Sequence, residues 1–188
     1  MWRLCGRVTE RLKSLALAYV SVGSNIEPER HIEAALDVLM NRVLVTAVST
    51  FYSTEPIGRP DQDHYVNGVF EIRTDLPASE VGPGILHPVE MQQGRLRTED
   101  KYAARTLDLD LILYNNVSLC TPHTRLPHPD IERPFVLGPV LELLTREDLV
   151  HPCQQAMLGM LPSQQVPKTI GIRMTAFSGS LKVKLGRE

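Results

Sequence analysis

The chain has 188 residues, 43% of them hydrophobic, a length that suits one compact domain burying roughly 70% of its unfolded surface without disulfide staples. With 20 Lys and Arg against 22 Asp and Glu, it lacks the basic excess of a nucleic-acid binder, although a local basic pocket for phosphates remains open. An odd set of cysteines without CxxC spacing (Cys5, Cys120, Cys153) and the absence of an apolar run of about 18 residues argue for a cytoplasmic protein, with no structural zinc site and no membrane span.

At the N-terminus Arg3, Arg7, Arg11 and Lys13 face a single acid, Glu10. This start is an extension without a specified role, an organelle-targeting peptide being the alternative. Leu17–Gly23 is apolar and strand-length, and it ends in the turn cluster Gly23-Ser24-Asn25. Pro28 and Glu29 open a helix over 29–42, whose Ile32, Ala35, Leu36 and Leu39 share one face. Val43–Tyr52 is β-branched and aromatic, which predicts a strand. Thr54–Asp61 is a polar loop, and Tyr65–Thr74 is a further strand. Asp75–Gly84 is expected to be loop, and Pro88 confines the next helix to 87–94, ended by Gly94. Leu107–Tyr114 is a strand with a turn at Asn115-Asn116, 121–134 is a Pro-rich structured loop, and Phe135–Leu144 is helical. The tail predicts a hairpin, Ile170–Phe177 with Leu181–Leu185, about Ser178-Gly179-Ser180. The order β-α-β-β-α-β predicts an α+β, ferredoxin-like fold: an antiparallel sheet with helices on one face.

The densest chemistry lies between Glu90 and Asp110. On a strand, Asp108 and Asp110 project to one face with Cα atoms roughly 6.5 Å apart, while Leu107, Leu109 and Leu111 take the other. Two adjacent carboxylates repel unless neutralised, and hard oxygen ligands suit Mg²⁺ together with substrate phosphates. The bland alternative is an exposed strand face whose Asp pair is held by nearby Arg. Arg95, Arg97, Lys101 and Arg105 crowd the same stretch, and guanidinium is well shaped for phosphate. Glu99 and Asp100 also fit a solvated loop with surface ion pairs. A basic loop beside a carboxylate pair is what phosphoryl transfer needs. There is no GxxxxGK[ST] loop, and Gly82-Pro83-Gly84 lacks the third glycine of GxGxxG, so a nucleotide must be held by side chains and metal.

Tyr65 and Asn67 share a strand face, offering an aromatic plate and an amide that can read adjacent donor and acceptor atoms of a heterocycle. Phe135 could supply a second plate, with core packing as the alternative. Pro127-His128-Pro129 fixes the backbone about His128, and Arg133 is a further phosphate candidate. The other histidines (His31, His64, His87, His123, His151) share no spacing and are taken as incidental.

Together these segments resemble the 6-hydroxymethyl-7,8-dihydropterin pyrophosphokinases of folate biosynthesis. The matching pieces are Val22–Asn25, Tyr52–Gly58, Tyr65–Asn67, Glu90–Arg97, Arg105–Leu111, Pro127–Pro129 with Glu132–Leu137, and Asp148–Pro152. They cover about residues 17–161 as the enzyme domain, leaving 1–16 as an N-terminal extension and 162–188 as a C-terminal tail without a counterpart. The resemblance implies a 2-amino-4-hydroxy-6-hydroxymethyldihydropteridine diphosphokinase that moves pyrophosphate from ATP to the pterin hydroxymethyl and releases AMP. It implies two Mg²⁺ ions bridging the ATP phosphates on Asp108 and Asp110, with Arg95 and Arg105 catalytic beside them. Glu90, Arg97, Tyr102, His128 and Arg133 would bind ATP, and Thr54, Glu55, Ile57, Tyr65, Asn67 and Phe135 the pterin. Loops at 24–28, 54–64 and 95–105 would close over the substrates. The enzyme would be a monomer, functionally adjacent to dihydropteroate synthase, without nucleic-acid or membrane partners.

Gly82, Pro83, Gly84 and Pro88 interrupt a helix that is long in the family, which keeps an impaired relative open as an alternative. Another Mg²⁺-dependent phosphotransferase on the same fold also stays open. An RNA-binding sheet is disfavoured, because aromatics are only 5% of the chain and the central strand carries two acids.

Overall fold

A computed structural model describes residues 14–96, 100, 102–149 and 151–186. The basic extension before residue 14 and Arg97 lie outside them. The sheet is antiparallel and six-stranded. Strand β1 (Ala16–Ser24) lies between β4 (Tyr65–Thr74) and β5 (Asp108–Tyr114). The single strand expected over 43–52 is instead two, β2 (Leu44–Val48) and β3 (Tyr52–Thr54), both pairing with β4. The bend between them is held by the Glu142 carboxylate, which accepts the Thr50 N–H at 3.0 Å.

Helix α1 (Pro28–Met40) buries Ile32, Ala35, Leu36 and Leu39, the face anticipated from their spacing. It packs on one side of the sheet with Ala18, Val20, Val22, Leu109 and Leu111. On that side also lie α2 (Ala78–Val81) and α3 (His87–Gln92), joined by a π turn over Gly82–Leu86. The chain is therefore helical from 78 to 92, where a loop and a short helix were expected. The wide turn, in which His87 N–H reaches Gly82 O, lets the backbone pass Pro83 without the clash of a regular α turn.

A second layer covers the opposite face, against the expectation of helices on one side only. Helix α4 (Pro134–Leu144) packs there through Val136, Leu137, Val140, Leu141 and Leu144 onto Leu17, Tyr19, Val69 and Ile112, joined by Met157 of α5 (Gln154–Gly159). The Pro-rich stretch expected over 121–134 carries β7 (Arg125–Leu126), which pairs with β6 (Leu119–Cys120) just before it, and a short 3-10 turn at Pro129–Glu132. The expected C-terminal hairpin is replaced by β8 (Ile172–Arg173), which pairs with β3, and by α6 (Thr175–Lys184). Phe177 and Leu181, one turn apart on α6, enter the α1-side core. Burying those two side chains outweighs the turn preference of Ser178-Gly179-Ser180.

Candidate active site

Strand register assembles the site. Asn67 of β4 pairs with Gly23 of β1, and Gly23 pairs in turn with Asp108 of β5. Residues in one row face the same way, so the amide and the carboxylate both project toward the α4 layer. The middle of the row is kept clear: a Cβ on Gly23 would stand 2.9 Å from Asn67 Oδ1. Asp110 follows Asp108 on the same face, while Leu107, Leu109 and Leu111 point into the opposite core as their alternation required.

Over this row lies a cleft of about 430 Å³. Thr54, Glu55, Ile57, Tyr65, Asn67 and Phe135 line one part of it, and Arg95, Tyr102, Arg105, Asp108, Asp110 and Arg133 the rest. Asn67 Nδ2 donates to Thr54 Oγ1 at 2.7 Å, which fixes the amide against β3. The Arg133 guanidinium stands 5.8 Å from the Phe135 ring centroid and donates to Asp130 Oδ1 at 2.7 Å. Asp130, which no residue spacing singles out, also lines the cleft.

Charge in the cleft is tightly paired. Arg95 donates to one oxygen of Asp108 and Arg105 to the other. Burial works against the Arg105 charge, but the Asp108 carboxylate outweighs it and raises the guanidinium pKa. Asp110 is pushed up to about 7, first by burial and then by the negative charges of Asp108, Asp130 and Glu90. A carboxylate in that position is relieved by a cation. Among the described residues no cluster of three or more metal-ligating side chains forms; the donor set is the Asp pair. One or two carboxylates completed by substrate phosphates is the usual protein share of a Mg²⁺ site, so the residues fit that ion.

A second cleft of about 300 Å³ shares Asp110 with the first and is lined by His87, His123, Thr124, Arg125 and His128 among others. Burial holds the His128 pKa below its ordinary value, and its Nδ1 accepts the Asp130 N–H at 3.3 Å. His87 and His123, set aside as incidental, come to this cleft only because the β6–β7 segment and the helical stretch 78–92 converge on β5. No local spacing announces that meeting.

A profile of the 7,8-dihydro-6-hydroxymethylpterin-pyrophosphokinase (HPPK) family matches residues 19–145. The chain belongs to that family. A 2-amino-4-hydroxy-6-hydroxymethyldihydropteridine pyrophosphokinase of Haemophilus influenzae is 39% identical over 143 residues, 73% of this chain and 86% of the relative. The Bacillus subtilis protein of the same name is 37% identical over 131 residues, 68% of this chain and 77% of the relative. A folate synthesis bifunctional protein of Arabidopsis thaliana is 32% identical over 133 residues, covering 69% of this chain and 27% of the longer relative.

In this HPPK chain Glu90 lines neither cleft. It is 2% exposed, and its Oε1 accepts from Arg95 Nη1 and from the Leu109 N–H, each at 2.9 Å. The flanking loops already touch across the cleft mouth. Arg59 pairs with Asp100 at 2.6 Å, Gln62 donates to Tyr102 O at 2.9 Å, and Asn25 Oδ1 accepts the Arg105 N–H at 2.8 Å. No helix among the described residues is long and apolar enough to cross a membrane.

Proposed function

We propose that the two ends of the 430 Å³ cleft receive the two substrates of a pyrophosphoryl transfer, the pterin over Asn67 and the ATP phosphates over Asp108. Family membership makes the chain a transferase of folate biosynthesis that converts ATP and 6-hydroxymethyl-7,8-dihydropterin to the pterin diphosphate and AMP. The observation that carries the site assignment is the row Asn67–Gly23–Asp108. Two inter-strand steps set the Asn67 and Asp108 backbones roughly 9–10 Å apart, measured along the sheet. That span accommodates a hydroxymethyl group and the phosphorus it attacks.

Tyr65 and Phe135 would hold the pterin ring between them, with Asn67 on its edge and Thr54, Glu55 and Ile57 closing the pocket. Asp108 and Asp110 would hold two Mg²⁺ ions, which supply charge neutralisation of the ATP phosphates when bound. In the transfer the hydroxymethyl oxygen bonds to the β-phosphorus and gives up its proton to solvent, while the bond from that phosphorus to the bridging oxygen of the α-phosphate breaks, its electron pair and that oxygen leaving with AMP. Arg95 and Arg105 would neutralise oxygens of the moving group, a contribution that accounts for much of catalysis in such reactions. Arg133 and Tyr102, which line the same cleft, would face those phosphates, and Arg97 keeps its place in the ATP assignment from the sequence. His128, with the second cleft, would take the nucleoside, while buried Glu90 would act by holding Arg95 rather than by touching ATP. Contact between the loops at 54–64 and 100–105 would exclude water from the transfer.

The strand order β5-β1-β4, with β2 and β3 both on β4, supports a ferredoxin-like reading of the sheet. The bifunctional folate synthesis relative supports coupling to a second enzyme of folate synthesis, which we take to be dihydropteroate synthase, and the chain would act as a monomer in the cytoplasm. Product analysis tests the reaction: with the pterin acceptor, ATP should yield AMP in equal amount to pterin diphosphate. Release of ADP would point to another phosphotransferase on this sheet.

A further inference from the structure

Residues 162–186 lie beyond the stretch matched by the HPPK profile, which ends at 145, yet they are bound to the walls of the cleft. β8 pairs with β3 as Tyr52↔Arg173 and Ser53↔Ile172, so Gly171 lies beside Thr54. Its backbone is at φ +153°, and a Cβ there would stand 2.5 Å from Ser53 O and 2.9 Å from Thr54 Cγ2. Only glycine lets the segment approach the strand that carries Thr54, whose hydroxyl in turn holds Asn67.

The preceding residue grips the other wall. Ile170 Cδ1 occupies the space that a Cβ on Gly138 would fill, at 2.4 Å. Gly138 is on α4, three positions after Phe135 and so on the neighbouring part of the same helix face. Further along, Met174 N–H donates to Phe51 O at 2.9 Å, and Phe51 N–H donates to Ser178 Oγ at 2.8 Å. The Phe51 ring fills the space beside Gly68, next to Asn67, and meets Phe177 edge-on at 5.5 Å. Successive tail residues therefore touch the strand bearing Thr54 and the helix bearing Phe135.

We infer that Ile170-Gly171 is a positioning element of the pterin pocket, setting the spacing between the Thr54–Asn67 edge and the Phe135 plate. The inference rests on the pocket assignment proposed above. Neither residue touches the Asp108 end, on the far side of β1, so the element acts on the pterin and not on ATP.

The test is calorimetric titration of the full chain with 6-hydroxymethyl-7,8-dihydropterin and, separately, with a non-hydrolysable ATP analogue and Mg²⁺. Gly171→Ala and Ile170→Ala should each weaken the pterin about tenfold and leave the ATP analogue within about twofold. In turnover the pterin KM should rise while kcat stays within about twofold. Lys184→Ala, at the far end of α6 where Lys184 pairs with Glu33 and Asp37, should change neither ligand. Should Gly171→Ala not fold, Ile170→Ala decides alone. Unchanged pterin affinity in the variants, or equal weakening of both ligands, overturns the inference while leaving the reaction assigned. Failure of the unaltered chain to take up any pterin overturns the pocket assignment itself, and this inference with it.

Discussion

Asn67 and Asp108 stand one strand to either side of Gly23, in a single row of the sheet. Their separation is a property of backbone pairing and does not depend on any loop. Gly23→Ala keeps the pairing but sets a methyl 2.9 Å from Asn67 Oδ1. The amide must turn away from its 2.7 Å bond to Thr54. Pterin affinity should fall about tenfold or more, since a misaligned amide leaves polar groups unpaired in the complex. Circular dichroism should be unchanged. A titration giving the unaltered affinity would remove Asn67 from the pocket.

Asp110→Asn separates function from stability. The substitution removes a ligand charge and should abolish most turnover by weakening Mg²⁺ binding. It should also stabilise the ligand-free protein. The folded carboxyl titrates at about 7, above the usual carboxylate value near 3.9 of the unfolded chain. Between those values the unfolded state binds fewer protons, so the unaltered protein loses stability as pH rises from about 4 to about 7. Asn carries no such dependence. Thermal unfolding without Mg²⁺ should show the two proteins nearly alike near pH 4 and the variant ahead by roughly 4 kcal/mol at pH 8. A variant that is less stable at pH 8 would contradict the charge crowding described here.

Glu90→Gln probes the buried acceptor behind the site. Gln can still accept the Leu109 N–H but cannot neutralise Arg95, whose guanidinium it meets at 2.9 Å. kcat should fall about 10- to 100-fold, the range lost when a preorganised charge is loosened. KM for ATP should move little, because Glu90 is 2% exposed. An ATP KM raised in parallel with a constant kcat would instead place Glu90 on the nucleotide.

Much of the site was legible because its residues sit close in sequence or obey a two-residue period. Asp108 and Asp110, and likewise Tyr65 and Asn67, share faces as alternation demands. Phe135 comes to the same cleft as Tyr65 only through packing of α4 on the sheet, which spacing alone leaves open. The helix at 87–92 agrees with the expectation, but the loop expected up to Gly84 is helical from 78, because the π turn with its His87–Gly82 bond carries the chain past the prolines. Ser178-Gly179-Ser180 carried turn chemistry, yet Ser178 Oγ donates to Met174 O at 2.7 Å inside α6. Burial of Phe177 and Leu181 decided the outcome, and that depended on partners far away in the chain. The same holds for His87 and His123, whose shared cleft exists only in three dimensions.

Glu71 anchors the end of the sheet remote from the chemistry. Its side chain is fully buried. It accepts from the Tyr19 hydroxyl at 3.1 Å, from Thr46 Oγ1, and from Arg146 Nη2 at 3.0 Å. Burial and the Glu71 charge push the Tyr19 phenol upward, so it stays a donor. Glu71→Leu would leave the Arg146 guanidinium, which is 19% exposed, with the exposed Asp148 carboxylate as its remaining charge partner, and would take the acceptor from the Tyr19 hydroxyl. Unfolding in urea should show a loss of about 3–5 kcal/mol, the usual consequence of removing one partner from a buried ion pair. Adding Arg146→Leu should recover part of it, because no uncompensated charge then remains. Turnover at low temperature should match the unaltered enzyme in both variants, since Glu71 is four residues and roughly 13 Å along β4 from Asn67. A double variant as unstable as the sum of its singles would show that the network holds the fold through packing and not through charge.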